Sequence, residues 1–152
     1  MWREVARGTA AGAAGTTALN AITYIDMAWR GRPASDTPTK TAEALADVTD
    51  TRIPGEGDAS ENRAAALGAL AGIVTGVGVG AAYGLVRGLG LRPPLWAGVV
   101  CTSLAALAGS NGPMTLLGVT DPRTWSTTDW VSDVVPHIAY GVVTAATYAL
   151  LG

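Results

Sequence analysis

Phenylalanine is absent from the 152 residues, histidine and cysteine occur once each (His137, Cys101), and a single lysine (Lys40) stands against nine arginines. One cysteine excludes an intramolecular disulfide, and Cys101 reads as a small apolar filler. Asp133 and His137 have the spacing of metal ligands, but one histidine and a distant cysteine cannot complete a usual zinc set. No metal or cofactor is expected. GxSxG, the Walker loop and HExxH are all missing, so no catalytic residue is assigned and an enzyme is not expected. A net charge of -2 without a basic cluster argues against nucleic-acid binding.

Charge itself is scarce. Charged residues make up 14% of the chain, against about 25% in an ordinary soluble domain. They leave four long gaps: Gly8 to Ile25, Ala64 to Val86, Pro93 to Thr120 and Val134 to Gly152. Each gap approaches or exceeds the roughly 20 apolar residues a helix needs to cross a bilayer core of about 30 Å. Mean hydropathy is a mild +0.30, because the gaps are filled by Ala, Gly, Val and Thr.

The tryptophans point the same way. Trp2, Trp29, Trp96, Trp125 and Trp130 all fall at the edges of the gaps, where indole rings sit at headgroup level. Between Trp2 and Trp29 a helix rising about 1.5 Å per residue covers about 40 Å, near the thickness of bilayer plus interfaces. The expectation is an all-α polytopic membrane protein with four transmembrane helices and short interfacial helices. Residues 1-152 form a single membrane domain, and 30-63 an acidic extramembrane loop within it. A soluble bundle with buried Ala/Gly-rich helices is the competing class. A cleaved leader over the first gap is disfavoured by its length, its weak hydropathy, and Asp26 and Arg30 following it without a clear small-x-small site.

Along the chain, the first helix is expected over about Val5 to Trp29, closed by Arg30, Gly31, Arg32 and Pro33. Thr37 and Pro38 read as an N-cap with proline at the first helical position of a short, weakly amphipathic surface helix. Its loop holds seven acids from Asp36 to Glu61 against Lys40 and Arg52, a solvated acidic cap. Ser60 is placed as the cap of the second long helix, which runs to about Arg87. The third starts near Trp96 and ends ordinarily at Ser110-Asn111-Gly112-Pro113; the rival is a discontinuous helix continuing through Met114 to Val119. Ser126-x-x-Asp129 has the pattern of a capping box, and Pro136 kinks the fourth helix.

Gly68, Gly72, Gly76, Gly80, Gly84 and Gly88 recur every fourth residue, with Gly78 as an extra member of the span. A helical glycine costs about 1 kcal/mol relative to alanine in water, so such a row needs a reason, and close backbone approach in small-xxx-small packing supplies one. Gly8, Gly12 and Thr16 form a matching short row. Four residues turn a helix by about 400°, so the row drifts by about 40° per step and no single straight partner follows all of it. The second long helix is therefore expected at the centre of the bundle or at a subunit interface.

A set of polar residues gathers toward the end bearing the acidic loop. Asp26 and Asp133 lie at similar depth near two tryptophans, His137 sits one turn beyond Asp133, Asn111 falls in the same half, and Asn20 lies near the middle. Asp133, His137, Tyr140, Thr144 and Thr147 make a stripe along the fourth helix. Ionisable groups within a membrane face the interior and pair or line a pathway. A vestibule binding a proton, a cation or a polar solute through Asn20, Asp26, Asn111, Asp133, His137 and Tyr140 is the sharper reading. An interhelical hydrogen-bond network that fixes packing is the preferred one.

The stretches ALNAITYIDMAWRGRPAS (Ala18 to Ser35) and TDPRTWSTTDWVSDVVPHIAYG (Thr120 to Gly141) resemble those of small uncharacterised four-helix integral membrane proteins of actinobacterial type. The arginine bias and the glycine-zipper row fit that resemblance, which implies a source and no activity. A multi-pass protein of the bacterial inner (cell) membrane follows, structural or an accessory subunit, with the lipid bilayer and a homo-oligomer or larger membrane complex as its partners. Basic residues number four on the side of the termini and six on the loop side, which does not fix orientation; termini inside is the choice taken.

Overall fold

In a computed structural model describing all 152 residues, the chain is all-α, with no strand. Five helices follow in order: α1 (Trp2–Arg30), α2 (Thr37–Val48), α3 (Asp58–Gly88), α4 (Leu95–Leu116) and α5 (Thr127–Leu150), with a 3-10 turn at Pro122–Thr124 before the last. The four long helices form the bundle. Two of them, α3 and α4, are long and apolar enough to cross a membrane. The four charge-free gaps therefore reduce to two spans by this measure, because Thr, Gly, Asn and Tyr dilute the apolar content of α1 and α5.

Local chemistry sets the helix ends. Gly31 closes α1 in the left-handed region at φ 62°, where a side chain would be strained. Asp58 and Glu61 in the first turn of α3 and Arg87 in its last complement the helix dipole. At the start of α5 the expected capping box is complete: the Asp129 amide donates to Ser126 Oγ at 3.2 Å and Asp129 Oδ2 accepts from the Ser126 amide at 2.9 Å. The Ser126 hydroxyl, which donates to Oδ2 at 2.7 Å, and then the Ser126 amide hold the Asp129 carboxyl below its usual range. Arg123 does the same for Asp121, and Lys40 for Asp36.

Three expectations need correction. First, α3 begins at Asp58 after Gly57, so Ser60 lies inside the helix and caps nothing; similarly Asp36, not Thr37, is the N-cap of α2. Second, α4 neither ends nor breaks at Asn111-Gly112-Pro113 but runs on to Leu116. A proline forfeits one bond and crowds the carbonyl four residues back, and here only the last turn lies beyond it, closed by Leu117 N donating to Pro113 O at 2.9 Å.

The third correction concerns the centre of the bundle. Within the chain α3 is not the central helix: α1 packs closely on both α3 and α5, α5 lies between α1 and α4, and α3 meets α4 only lightly. The buried residues of α1, Gly8, Ala11, Gly12 and Gly15, form one narrow stripe. Gly8, Gly12 and Thr16 meet Gly84, Gly80 and Gly76 of the antiparallel α3. A methyl group on Gly12 would stand 2.9 Å from Gly80 Cα and 2.7 Å from Gly76 O, so the two backbones touch. One partner thus follows four members of the row, Gly76 to Gly88, because inclined i, i+4 ridges of two crossing helices interdigitate. The drift appears further up: Gly68 lies under Pro38 of α2, while Gly72 and Gly78 have open space before them.

Twenty-one residues are buried, and none is Leu, Ile, Val, Met or Trp. Glycine, alanine, tyrosine, serine, threonine, Pro136 and His137 fill the interior. Leu70, Val74, Trp96, Leu104, Ile138 and Val142 point outward, with Val74 69% and Trp96 70% exposed.

Candidate functional site at the loop end

The polar residues read from the sequence are not joined in one hydrogen-bond network. They separate into two clusters and two outliers. Asp26, on the last turns of α1, is paired twice: Arg30 Nη2 lies 2.5 Å and Arg32 Nε 2.7 Å from the same carboxylate oxygen. Arg30 also donates to Ser132 Oγ on α5 at 2.5 Å, tying α1 to α5. A shallow cleft of about 210 Å³ lies beside this pair, lined by Asp26, Arg30, Thr127, Thr128, Val131 and Ser132.

The second cluster joins α4 to α5. Asn111 Nδ2 donates to Asp133 Oδ2 at 2.7 Å, so a residue of the expected helix break serves as a cross-link. His137 is 8% exposed; its Nδ1 lies 2.7 Å from the Asp133 carbonyl oxygen and 3.6 Å from Oδ1, and its Nε2 lies 3.1 Å from Ser110 Oγ. Ser110 was read from the sequence only as part of the helix end, not as a partner of His137. That pairing becomes visible only once α4 is continuous, because Ser110 and Asn111 then project toward α5 from adjacent positions.

Tyr140 is fully buried one turn deeper and donates from its hydroxyl to Gly76 O at 2.6 Å, linking α5 to α3 beneath α1. Asn20 is exposed and takes no part. The buried stripe of α5 runs through His137, Tyr140, Thr144 and Tyr148, so Tyr148 replaces the expected Thr147 as its last member.

Tyr148 belongs to a third cluster, at the opposite end, that sequence reading missed. Its hydroxyl donates to the Glu4 carboxylate. Arg7 bridges Glu4 at 2.8 Å and the Tyr148 carbonyl at 3.0 Å, while its guanidinium lies 4.6 Å from the Tyr148 ring centre. Arg87 approaches the same ring at 5.3 Å, and Tyr83 meets it edge-on at 5.1 Å. The signal was present as Glu4 and Arg7 one turn apart on α1, but Tyr148 lies 144 residues from Glu4.

Chemically, the serine, imidazole and carboxylate of the loop-end cluster stand in the order of a nucleophile, its base and an orienting acid. Yet Nδ1 is engaged by the carbonyl rather than the carboxylate, and Ser110 lies within a continuous helix whose amides are already bonded. No backbone N–H is free there to hold an oxyanion. The arrangement cross-links α4 to α5. Comparison with known protein families, curated proteins and solved structures finds no match to this chain.

Proposed function

We propose that this is a small multi-pass protein of the bacterial inner membrane, four helices deep, acting as a structural or accessory subunit with lipid and a larger membrane assembly as its partners. The observation that carries this is the inverted distribution of side chains. Ile, Val and Leu are among the residues most often buried in water-soluble proteins, and here none is. Only 22% of each apolar window of α3 and α4 is buried, whereas the core helix of a soluble bundle would be mostly covered. Small residues inside and branched aliphatics outside are what a bundle needs when lipid is the solvent and helices associate by close packing.

The native Cys101 tests it without mutation. It is exposed in the charge-free run of α4. In intact membranes a charged maleimide is expected to leave it unlabelled, while a lipophilic reagent, or the same maleimide after denaturation, labels it fully. Rapid labelling by the charged reagent in the native sample would mean that this face meets water.

A transporter or channel-like role has less support, because Asp26 is already paired with Arg30 and Arg32 and Asp133 already accepts from Asn111. Proteoliposomes are expected to show no proton or cation flux above protein-free vesicles. A flux abolished by Asp133→Asn or His137→Ala would replace the structural reading with a transport one.

A further inference from the structure

His137 is the single imidazole of the chain and is enclosed where α4 meets α5. Its Nδ1 faces the Asp133 carbonyl oxygen, which can only accept, so Nδ1 carries a hydrogen. In the neutral ring Nε2 is then an acceptor, and the Ser110 hydroxyl opposite it donates. In the cation Nε2 donates instead, and the same hydroxyl oxygen accepts. Ser110 can then turn its own hydrogen to Ala106 O at 3.1 Å or Leu107 O at 3.2 Å. Neither state leaves a buried polar group without a partner, which is where the cost of changing a buried hydrogen-bond network ordinarily arises.

Countercharge is in place as well. Asp133 Oδ1 lies 3.6 Å from Nδ1, and Asn111 steadies the other carboxylate oxygen. No competing charge faces the ring. Helix α4 carries no charged side chain, and its Cys101 thiol is on the outer surface. On α1, Asp26 pairs with Arg30 and Arg32, and Arg30 reaches Ser132 rather than His137. On α5, Asp129 is held in the capping box and Tyr140 is turned to Gly76. Helix α3 has no charge between Arg63 and Arg87, and Lys40, Glu43 and Asp47 of α2 are exposed.

We propose that Ser110, Asp133 and His137 form a reversible proton-binding site at the loop end, which gains and releases one proton while α4 and α5 stay in contact. On uptake an N–H bond forms at Nε2 with a proton taken from water, and the Ser110 O–H rotates from Nε2 to a carbonyl of its own helix. On release both movements reverse. This goes beyond the structural reading and does not depend on it, since the geometry is the same whatever surrounds the bundle.

Because there is one histidine, 15N-histidine labelling of the full chain in micelles or nanodiscs gives one imidazole spin system. The neutral ring is expected as the Nδ1–H tautomer. On lowering the pH from about 8 to about 5, Nε2 is expected to gain its hydrogen while the backbone amide signals of α4 and α5 keep their folded positions. Ser110→Ala is expected to shift the Nε2 signal in both states and leave the Nδ1 signal in place. A neutral Nε2–H tautomer, an imidazole fixed in one protonation state across the range, or an Nε2 signal indifferent to Ser110→Ala would each overturn the proposal.

Discussion

Gly80→Leu is expected to force α1 and α3 apart, whereas Gly72→Leu, two turns away in the same row, is expected to leave the bundle intact. At Gly80 any side chain runs into the backbone of Gly8 and Gly12, which cannot rotate aside as a flexible side chain would. Inserting a few methylenes into a well-packed site usually costs about 1–3 kcal/mol, and contact with rigid backbone on both sides puts four carbons at or above about 3 kcal/mol. At Gly72 a Cβ meets nothing within 4 Å, and relief from a helical glycine is worth up to about 1 kcal/mol in water. Unfolding in mixed micelles followed by circular dichroism compares the two directly. Equal losses at both positions would mean that the row as a whole, and not its α1-facing part, holds the bundle.

Tyr140→Ala comes second, with an expected loss of about 3 kcal/mol. The ring is fully buried between Gly15 of α1 and Gly76 of α3. Removing a buried aromatic leaves a cavity that helices in mutual contact fill poorly, at about 3–5 kcal/mol in water-soluble cores. The lower end applies here, because part of the aqueous figure reflects transfer from water that a bilayer-embedded helix does not undergo. Tyr140→Phe keeps the ring and loses only the bond to the Gly76 carbonyl. Interhelical hydrogen bonds in membrane bundles average about 0.6 kcal/mol, so the phenylalanine variant should retain most of the stability. Losses of the same size in both variants would show that the hydroxyl, and not the packing, joins α5 to α3.

Both expectations turn on tertiary facts that the glycine spacing alone did not contain. A row at i, i+4 announces close approach, but it does not say which members are covered. Gly76, Gly80 and Gly84 are buried and Gly72 is not, because a helix of different direction crosses each part of the row. The polar stripe of α5 behaved the same way. Asp133, His137 and Tyr140 were readable at helical spacing, while Ser110, which faces His137, lies on α4, and Glu4 and Arg7, which surround Tyr148 at the other end, lie on α1.

What the sequence determined by itself was local and compositional. Charge-free runs set the number of long helices, Gly31 and the Ser126–Asp129 box set helix ends, and small residues ensured that any contact would be close. Tertiary structure decided which long helices pack on which, that Asp26 and Asp133 belong to different clusters, and that α4 carries through Pro113 to place Ser110 and Asn111 against α5. The physical reason is that helix formation depends on neighbours three or four residues apart. Partner choice depends on how inclined rows from distant segments cross, and no spacing along one helix encodes that angle.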